Sequence, residues 1–434
     1  MAKKQAVLLI HGIGEQRPME TLRGFVKAVW QTDDDVKHQH AQSDIFSKPD
    51  NISGSYELRR LTTTKNRKNI RTDFFEYYWA HLMDGNTLTH TTGWVKVLLG
   101  RSPAKIPQRL KPLWWGLILA IFVVAVFAFQ YVLPDDHKWR VIHENFFIAV
   151  GILLPIVVTP IMTNILGDAA RYLNPAPNNI KRREEIRKKG IEILNKLHES
   201  GKYDRIIVVG HSLGSVIGYD ILNYSWVLYN TNLDKKIPHP VLTKLENDLK
   251  AGKISIDKYR DSQKKLTEEF GKCGVDWLVT DFVTLGSPLT YADLLLAKDA
   301  GDLNLKQDQR ELATCPPKLE DGRFSYPTNA KQRIPHHASV FGPTKWTNLY
   351  FPSKLLLWGD MIGGPLQGVF GSMIEDKPVY FEKGKSGFFS HTKYWKLGKR
   401  ETDIVQPYIE ELRNAVNLLN KPQTKANDKE TRVG

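Results

Sequence analysis

Two charge-free apolar runs constrain this chain more than any other feature it has. Residues 113–133 (LWWGLILAIFVVAVFAFQYVL) and 146–166 (FFIAVGILLPIVVTPIMTNIL) each hold 21 residues without an Asp, Glu, Lys or Arg. As helices at ~1.5 Å per residue they reach about 31 Å, enough for a hydrocarbon core of roughly 30 Å. A helix that is apolar on every side belongs in a protein core or in lipid. Pro155 and Pro160 interrupt the second run, which membrane helices tolerate better than soluble ones. Trp114, Trp115, Tyr131 and Trp139 lie at the ends, where aromatic belts form.

The flanks orient this pair. The connecting PDDHKWRVIHEN is short and near neutral, whereas both outer flanks are basic. Arg101, Lys105, Arg109 and Lys111 stand on one side, and Lys181, Arg182, Arg183, Arg187, Lys188 and Lys189 on the other. The excess of Lys and Arg predicts a spanning hairpin over 101–175, with both flanks and both termini cytoplasmic. The basic groups then meet anionic headgroups, and the lipid bilayer is the first expected partner. A buried helical pair, or an apolar lid lying in the interface, is the alternative. Nucleic-acid binding is not expected despite the net charge of +14, because no recognition motif or basic-aromatic groove accompanies it.

The rest of the chain reads as α/β. Apolar strands (AVLLI at 6–10, RIIVVG, WLVTDFVTL, WTNLYF, PVYF) alternate with helical stretches, which predicts a mostly parallel sheet flanked by helices. YELRRLTTT and RTDFFEYYWA are further strand candidates, while 33–55 reads as a polar loop and 300–343 as loop-rich. Ile186, Gly190, Ile193, Leu194 and Leu197 share one helical face, and Val405 to Leu419 mark a final amphipathic helix. The expected organisation is a first part over 1–100, the inserted hairpin over 101–175, a second part over 176–420 and a disordered tail over 421–434. The charged stretch 232–274 is expected to be a helical insertion or cap. MAKKQAVLLI has too short an apolar run for a cleavable signal.

Cys273 and Cys315 supply neither a disulfide framework nor metal-site spacing. The stretch DDDVKHQH at 33–40 reads as a solvated loop rather than a metal site, and no cofactor is called for.

The chemistry begins at VVGHSLGSV, where Gly210-His211-Ser212-Leu213-Gly214 joins a strand to a helix. A G-x-S-x-G turn in that context holds the serine at a strained position with its hydroxyl clear of the backbone. Such a hydroxyl needs a base, and the base needs an orienting carboxylate. His391, in the loop before the final helix, is the candidate base, ahead of His239, His336 and His337. Asp360 is the candidate acid on chain order, with Asp293 as second choice; Asp376 lies too close to PVYF. Backbone N–H groups of Leu213 and of Ile13, in the glycine-rich turn of LLIHGIGEQ, are the candidate oxyanion donors. His11 is expected to brace that turn, alongside Gly12. Trp79 and His81 are expected to pack.

Taken together, HGIG, GHSLG, TLGSPL, WTNLYFPS, GDMIGGPL and HTKYW resemble the α/β-hydrolase superfamily on its lipase/esterase-like side. The matching blocks run from residue 6 to the final helix. The resemblance implies an α/β-hydrolase fold with an inserted hairpin, Ser212 as nucleophile, Asp360 as acid and His391 as base. It also implies acyl esters cleaved through an acyl-serine, and the expected membrane anchor beside the site adds lipid or acylated substrates to the expectation. A thioesterase or peptidase of the same fold, and a hydrolase-like scaffold that turns nothing over, remain alternatives.

Overall fold

The computed structural model describes residues 3–12, 17–36, 45–83, 102–103, 106, 111–132, 172, 177–233, 238–252, 254–329, 332–353, 358–397 and 405–421. Its centre is an eight-stranded sheet. The strands are β1 (Lys4–Ile10), β2 (Ile45–Pro49), β3 (Arg59–Lys65), β4 (Arg71–Tyr77), β5 (Arg205–His211), β6 (Val279–Leu285), β9 (Lys345–Tyr350) and β10 (Glu375–Pro378). A separate hairpin joins β7 (Ser325–Asn329) to β8 (Gln332–Pro335). The sheet order is β10-β9-β6-β5-β1-β4-β3-β2, parallel throughout except that β2 and β3 run antiparallel to their neighbours.

The strand sequences explain this. KQAVLLI and RIIVVGH are continuous apolar runs, as strands covered on both faces must be. Ala6, Leu8 and Ile10 enter one core with Ile206 and Val208, and Val7 and Leu9 enter the other with Ile207 and Val209. The first core is covered by the helices Pro177–Glu199 and Leu213–Asn230, the second by Glu20–Val26 and Pro407–Val416. Ile186, Gly190, Ile193, Leu194 and Leu197 form the buried face of the Pro177–Glu199 helix, as their spacing predicts. A Cβ at Gly190 would fall 2.2 Å from Ile221 Cδ1, so only glycine lets the two helices approach this closely. Arg187, one of the basic flank residues, is an ion-pair partner of Asp220 at 2.7 Å and ties the same helices together.

Two expectations are corrected, at 33–55 and at the last strand, and two are made specific, at 300–343 and 232–274. The 33–55 region contains β2, a short edge strand with an exposed polar face that leaves no alternating pattern to read. The 300–343 region contains the helix Ala300–Asp308 and the β7–β8 hairpin. The last strand is EDKP rather than PVYF: Asp376 anchors it by accepting the Leu366 and Gln367 N–H groups, and Phe381 instead stacks on Phe351 at 4.9 Å. The 232–274 stretch does form two helices, Pro240–Lys250 and Ile256–Lys272, but they sit at the N-terminal edge of the sheet. There Arg260 bonds Thr347 Oγ1 at 3.0 Å and Glu375 at 3.0 Å, and Gln263 donates to the carbonyls of Phe341 and Thr344. They do not cap the opposite edge, where the parallel strands end.

The first apolar run forms the helix Lys111–Val132, continuous over 22 residues. Counted over the described residues alone, no helix is long and apolar enough to cross a membrane. The run 146–166 and the tail 422–434 lie outside the described residues. Trp114 of the helix is buried against Ile106, Tyr291 and Leu294, with Ile118, Leu295 and Met361 packed around them. Trp115, Leu119, Ile121, Phe122 and Phe129 are exposed.

Candidate active site

The parallel strands all end on one edge, and the loops leaving it carry the candidate chemistry. β5 stops at His211, and the next helix starts at Leu213. Ser212 between them has φ 52° and ψ −129°. That conformation costs a non-glycine residue ~1–3 kcal/mol and persists only when its surroundings fix it. Here the Ser212 N–H donates to the Leu285 carbonyl at 2.9 Å and the Ser215 hydroxyl donates to the Ser212 carbonyl at 2.5 Å. The glycines permit the crowding. A Cβ at Gly214 would meet the Ile10 carbonyl oxygen at 2.2 Å, one at Gly210 would meet Ser215 Cα at 2.5 Å, and one at Gly12 would meet Ser212 Cβ at 2.8 Å.

Ser212, His391 and Asp360 come together from positions far apart in the chain. His391 Nε2 lies 2.8 Å from Ser212 Oγ, and its Nδ1 lies 3.0 Å from each Asp360 carboxylate oxygen. Asp360 is buried in the loop after β9. Burial works to raise its pKa, but the charge and hydrogen bond of His391, the Gly363 N–H and the Tyr394 hydroxyl outweigh it and hold the carboxyl at about 2. Asp360 Oδ1 also accepts the Ile362 and Gly363 N–H groups at 2.8 and 3.0 Å. An ionised carboxylate fixes the imidazole with its proton on Nδ1, leaving the Nε2 lone pair for the serine hydroxyl. Base-activated serine nucleophiles require this arrangement of hydroxyl, imidazole and carboxylate.

The N–H of Leu213, first residue of its helix, has no intrahelical acceptor and lies beside Ser212. Ile13, the other expected oxyanion donor, lies outside the described residues. The turn that leads to it is held by His11. His11 Nδ1 donates to the Gly12 carbonyl at 2.7 Å, its Nε2 accepts the Trp79 N–H at 3.3 Å, and its ring stacks on Trp79. Burial lowers the His11 pKa to about 4, so the ring is neutral at pH 7. Trp79 is itself a buried packing residue.

The other sequence candidates lie elsewhere. Asp376 caps the 366–367 turn, and Asp293 sits in the short helix Ala292–Leu295. His336 bonds the Lys318 carbonyl and His337 the Arg310 carbonyl. His239 is buried beside Cys273. Among the described residues no three His, Cys, Asp or Glu side chains gather as a metal-ion site.

Three residues of the site were not singled out by sequence reasoning. The Tyr394 hydroxyl donates to Asp360 Oδ2 at 2.7 Å while accepting the Phe351 N–H at 3.2 Å. Its signal was its place in HTKYW, three residues after the base. His211 Nε2 donates to the His391 carbonyl at 2.8 Å, and burial lowers the His211 pKa to about 3, so it acts as a neutral clamp on the base. Gly286 of TLGSPL, at φ +57°, passes so close that a Cβ would meet Asp360 Oδ2 at 2.6 Å. Only the tertiary fold reveals the last two contacts.

No protein-family model, curated protein or solved structure matches this chain.

Proposed function

We propose that the protein is a membrane-anchored serine hydrolase of α/β-hydrolase type that cleaves acyl esters through an acyl-serine intermediate. One observation carries the reading: the unbroken hydrogen-bonded line from Ser212 Oγ through His391 to the ionised Asp360. Ser212 Oγ attacks the ester carbonyl as His391 Nε2 takes its proton. The developing oxyanion accepts the N–H groups of Leu213 and Ile13. The C–O bond to the alcohol breaks, and His391 returns its proton to that oxygen. Water, deprotonated by the same nitrogen, then attacks the acyl-serine; the bond to Ser212 Oγ breaks, His391 returns the proton to that oxygen, and the acid leaves. Asp360 holds the imidazole throughout and stabilises its protonated form.

The apolar runs 113–133 and 146–166 anchor this domain as a spanning hairpin, with the site on the cytoplasmic side. A bilayer beside the site favours lipid or acylated substrates over small polar ones. The test is labelling of the full-length protein in membranes with a fluorophosphonate probe. Labelling of wild type that is lost in Ser212→Ala supports the reading. Equal labelling of both, or of neither, leaves the scaffold alternative. An ester series compared with thioesters and amides then fixes the bond cleaved, and retention in the pellet after alkaline carbonate extraction tests the anchor.

A further inference from the structure

The rim of the site carries an exposed aromatic cluster. Trp358, Phe388 and Phe389 leave 51%, 46% and 41% of their surface uncovered. Trp358 stands two residues before the acid, and Phe389 two residues before the base. They touch in series: Trp358 and Phe388 are joined by a backbone bridge and meet edge-on at 5.4 Å, and Phe388 meets Phe389 at 4.9 Å. Phe389 has φ 47° and ψ 61°, a left-handed conformation that costs a side-chain-bearing residue ~1–2 kcal/mol. The chain thus accepts strain next to His391 while a large ring stays in the open.

Two further observations say what covers this cluster. The first is continuity with the apolar helix Lys111–Val132. Its foot, the buried Trp114 and the half-buried Ile118, packs in one cluster with Tyr291, Leu294 and Met361, and Met361 follows Asp360 directly. The Tyr291 hydroxyl donates to the Met361 carbonyl at 2.6 Å, pinning the acid loop to that foot. The helix therefore rises from the same loop that bears the rim, with Trp115, Leu119 and Phe122 exposed. The second observation is charge. Residues 383–400 hold six Lys and Arg and no Asp or Glu; Lys393 Nζ donates to the Phe388 carbonyl beside the rings, and Lys385 and Lys396 are exposed on the same segment. Aromatic rings bordered by cations suit the headgroup level of an anionic bilayer.

We infer that the mouth of the Ser212 site is seated in the bilayer interface, with Trp358, Phe388 and Phe389 at the acyl-chain boundary and Lys385 and Lys396 on anionic headgroups. The acyl chain of the substrate then enters from the bilayer rather than from water. This rests on the membrane reading above and names the surface by which the site meets the membrane.

Cys273 and Cys315 are both buried, so one added cysteine can be labelled selectively. Full-length Phe388→Cys, carrying the environment-sensitive fluorophore NBD, is placed in vesicles of phosphatidylcholine and phosphatidylglycerol. Trp358→Cys serves as a second probe position. Lys265→Cys, exposed on the helix Ile256–Lys272 at the far edge of the sheet, is the control. The expected result is blue-shifted emission at 388 and 358, lost with spin-labelled acyl chains and protected from aqueous iodide, with the opposite behaviour at 265. Iodide quenching at 388 and 358 equal to that at 265 overturns the inference. A blue shift insensitive to the lipid quencher also overturns it, because protein, such as a second copy of the chain, then covers the rim. The probe reads membrane contact whether or not Ser212 turns over, so failure here is distinguishable from failure of the hydrolase reading.

Discussion

Gly286→Ala tests whether the line from Ser212 to Asp360 is held as tightly as it is drawn. The new Cβ would lie 2.6 Å from Asp360 Oδ2, 2.8 Å from Tyr394 Cε2 and 3.1 Å from His391 Nδ1. An ordinary contact begins near 3.4 Å, so the carboxylate must retreat by about 0.8 Å. A shift of that size, with His391 Nδ1 crowded by the same Cβ, disturbs the carboxylate–imidazole pairing now held at 3.0 Å. Misplacing a catalytic group by about 1 Å costs on the order of 10²-fold in rate. Alanine at φ +57° adds ~1–3 kcal/mol of backbone strain, which lowers stability separately. The assay is the second-order rate of fluorophosphonate labelling of the full-length protein, corrected for folded fraction by near-ultraviolet circular dichroism. Because the effect acts through the carboxylate, it shrinks in an Asp360→Asn background. Folded Gly286→Ala that labels at the wild-type rate would refute the reasoning. So would losses from the two substitutions that add to within about 0.5 kcal/mol, the behaviour of independent sites.

Tyr394→Phe removes one hydrogen bond to a charged carboxylate, worth ~1.5–3 kcal/mol, and the labelling rate falls on the order of tenfold; a rate unchanged to within about twofold removes Tyr394 from the support of Asp360. Glu76 is buried, and burial raises its carboxyl to about 7 against the opposing pull of the Met19 N–H. Its protonated form therefore stabilises the fold fully below the unfolded pKa of 4.5, and that contribution is lost as pH rises through about 7. Glu76→Gln, which cannot ionise, gains on wild type by about 2–3 kcal/mol between pH 5 and 8.5. Thermal melts across that range check the slope, and a constant difference contradicts it. Leu412→Ala, fully buried on the last helix, costs ~2–5 kcal/mol in the same melts if that helix covers the sheet as described.

Much of this protein was legible in its sequence because the relevant physics is local. A run such as RIIVVG must be buried on both faces, the 3.6-residue spacing from Ile186 to Leu197 must put one helix face inward, and a serine between paired glycines after a strand must turn sharply. The order Ser212, Asp360, His391 also followed from chain position. The edge strands β2 and β10 were misread because half-exposed polar strands carry no periodic signal and are held by their neighbour's hydrogen bonds. The 232–274 helices were recognisable, but their place at the far edge depends on Arg260 and Gln263 finding partners about eighty residues on.

The sequence by itself determined the parallel α/β core, the sharp turn at Ser212 and the presence of two charge-free apolar runs, since each follows from side chains within a few residues of one another. Only the tertiary structure decided that His391 Nε2 stands 2.8 Å from Ser212 Oγ, that Tyr394 and His211 brace Asp360 and His391, and that Gly286 leaves room for the carboxylate. It also decided that the foot of the apolar helix is packed against the loop of Asp360. These contacts join segments up to 180 residues apart, and no local pattern specifies a distance across a sheet edge.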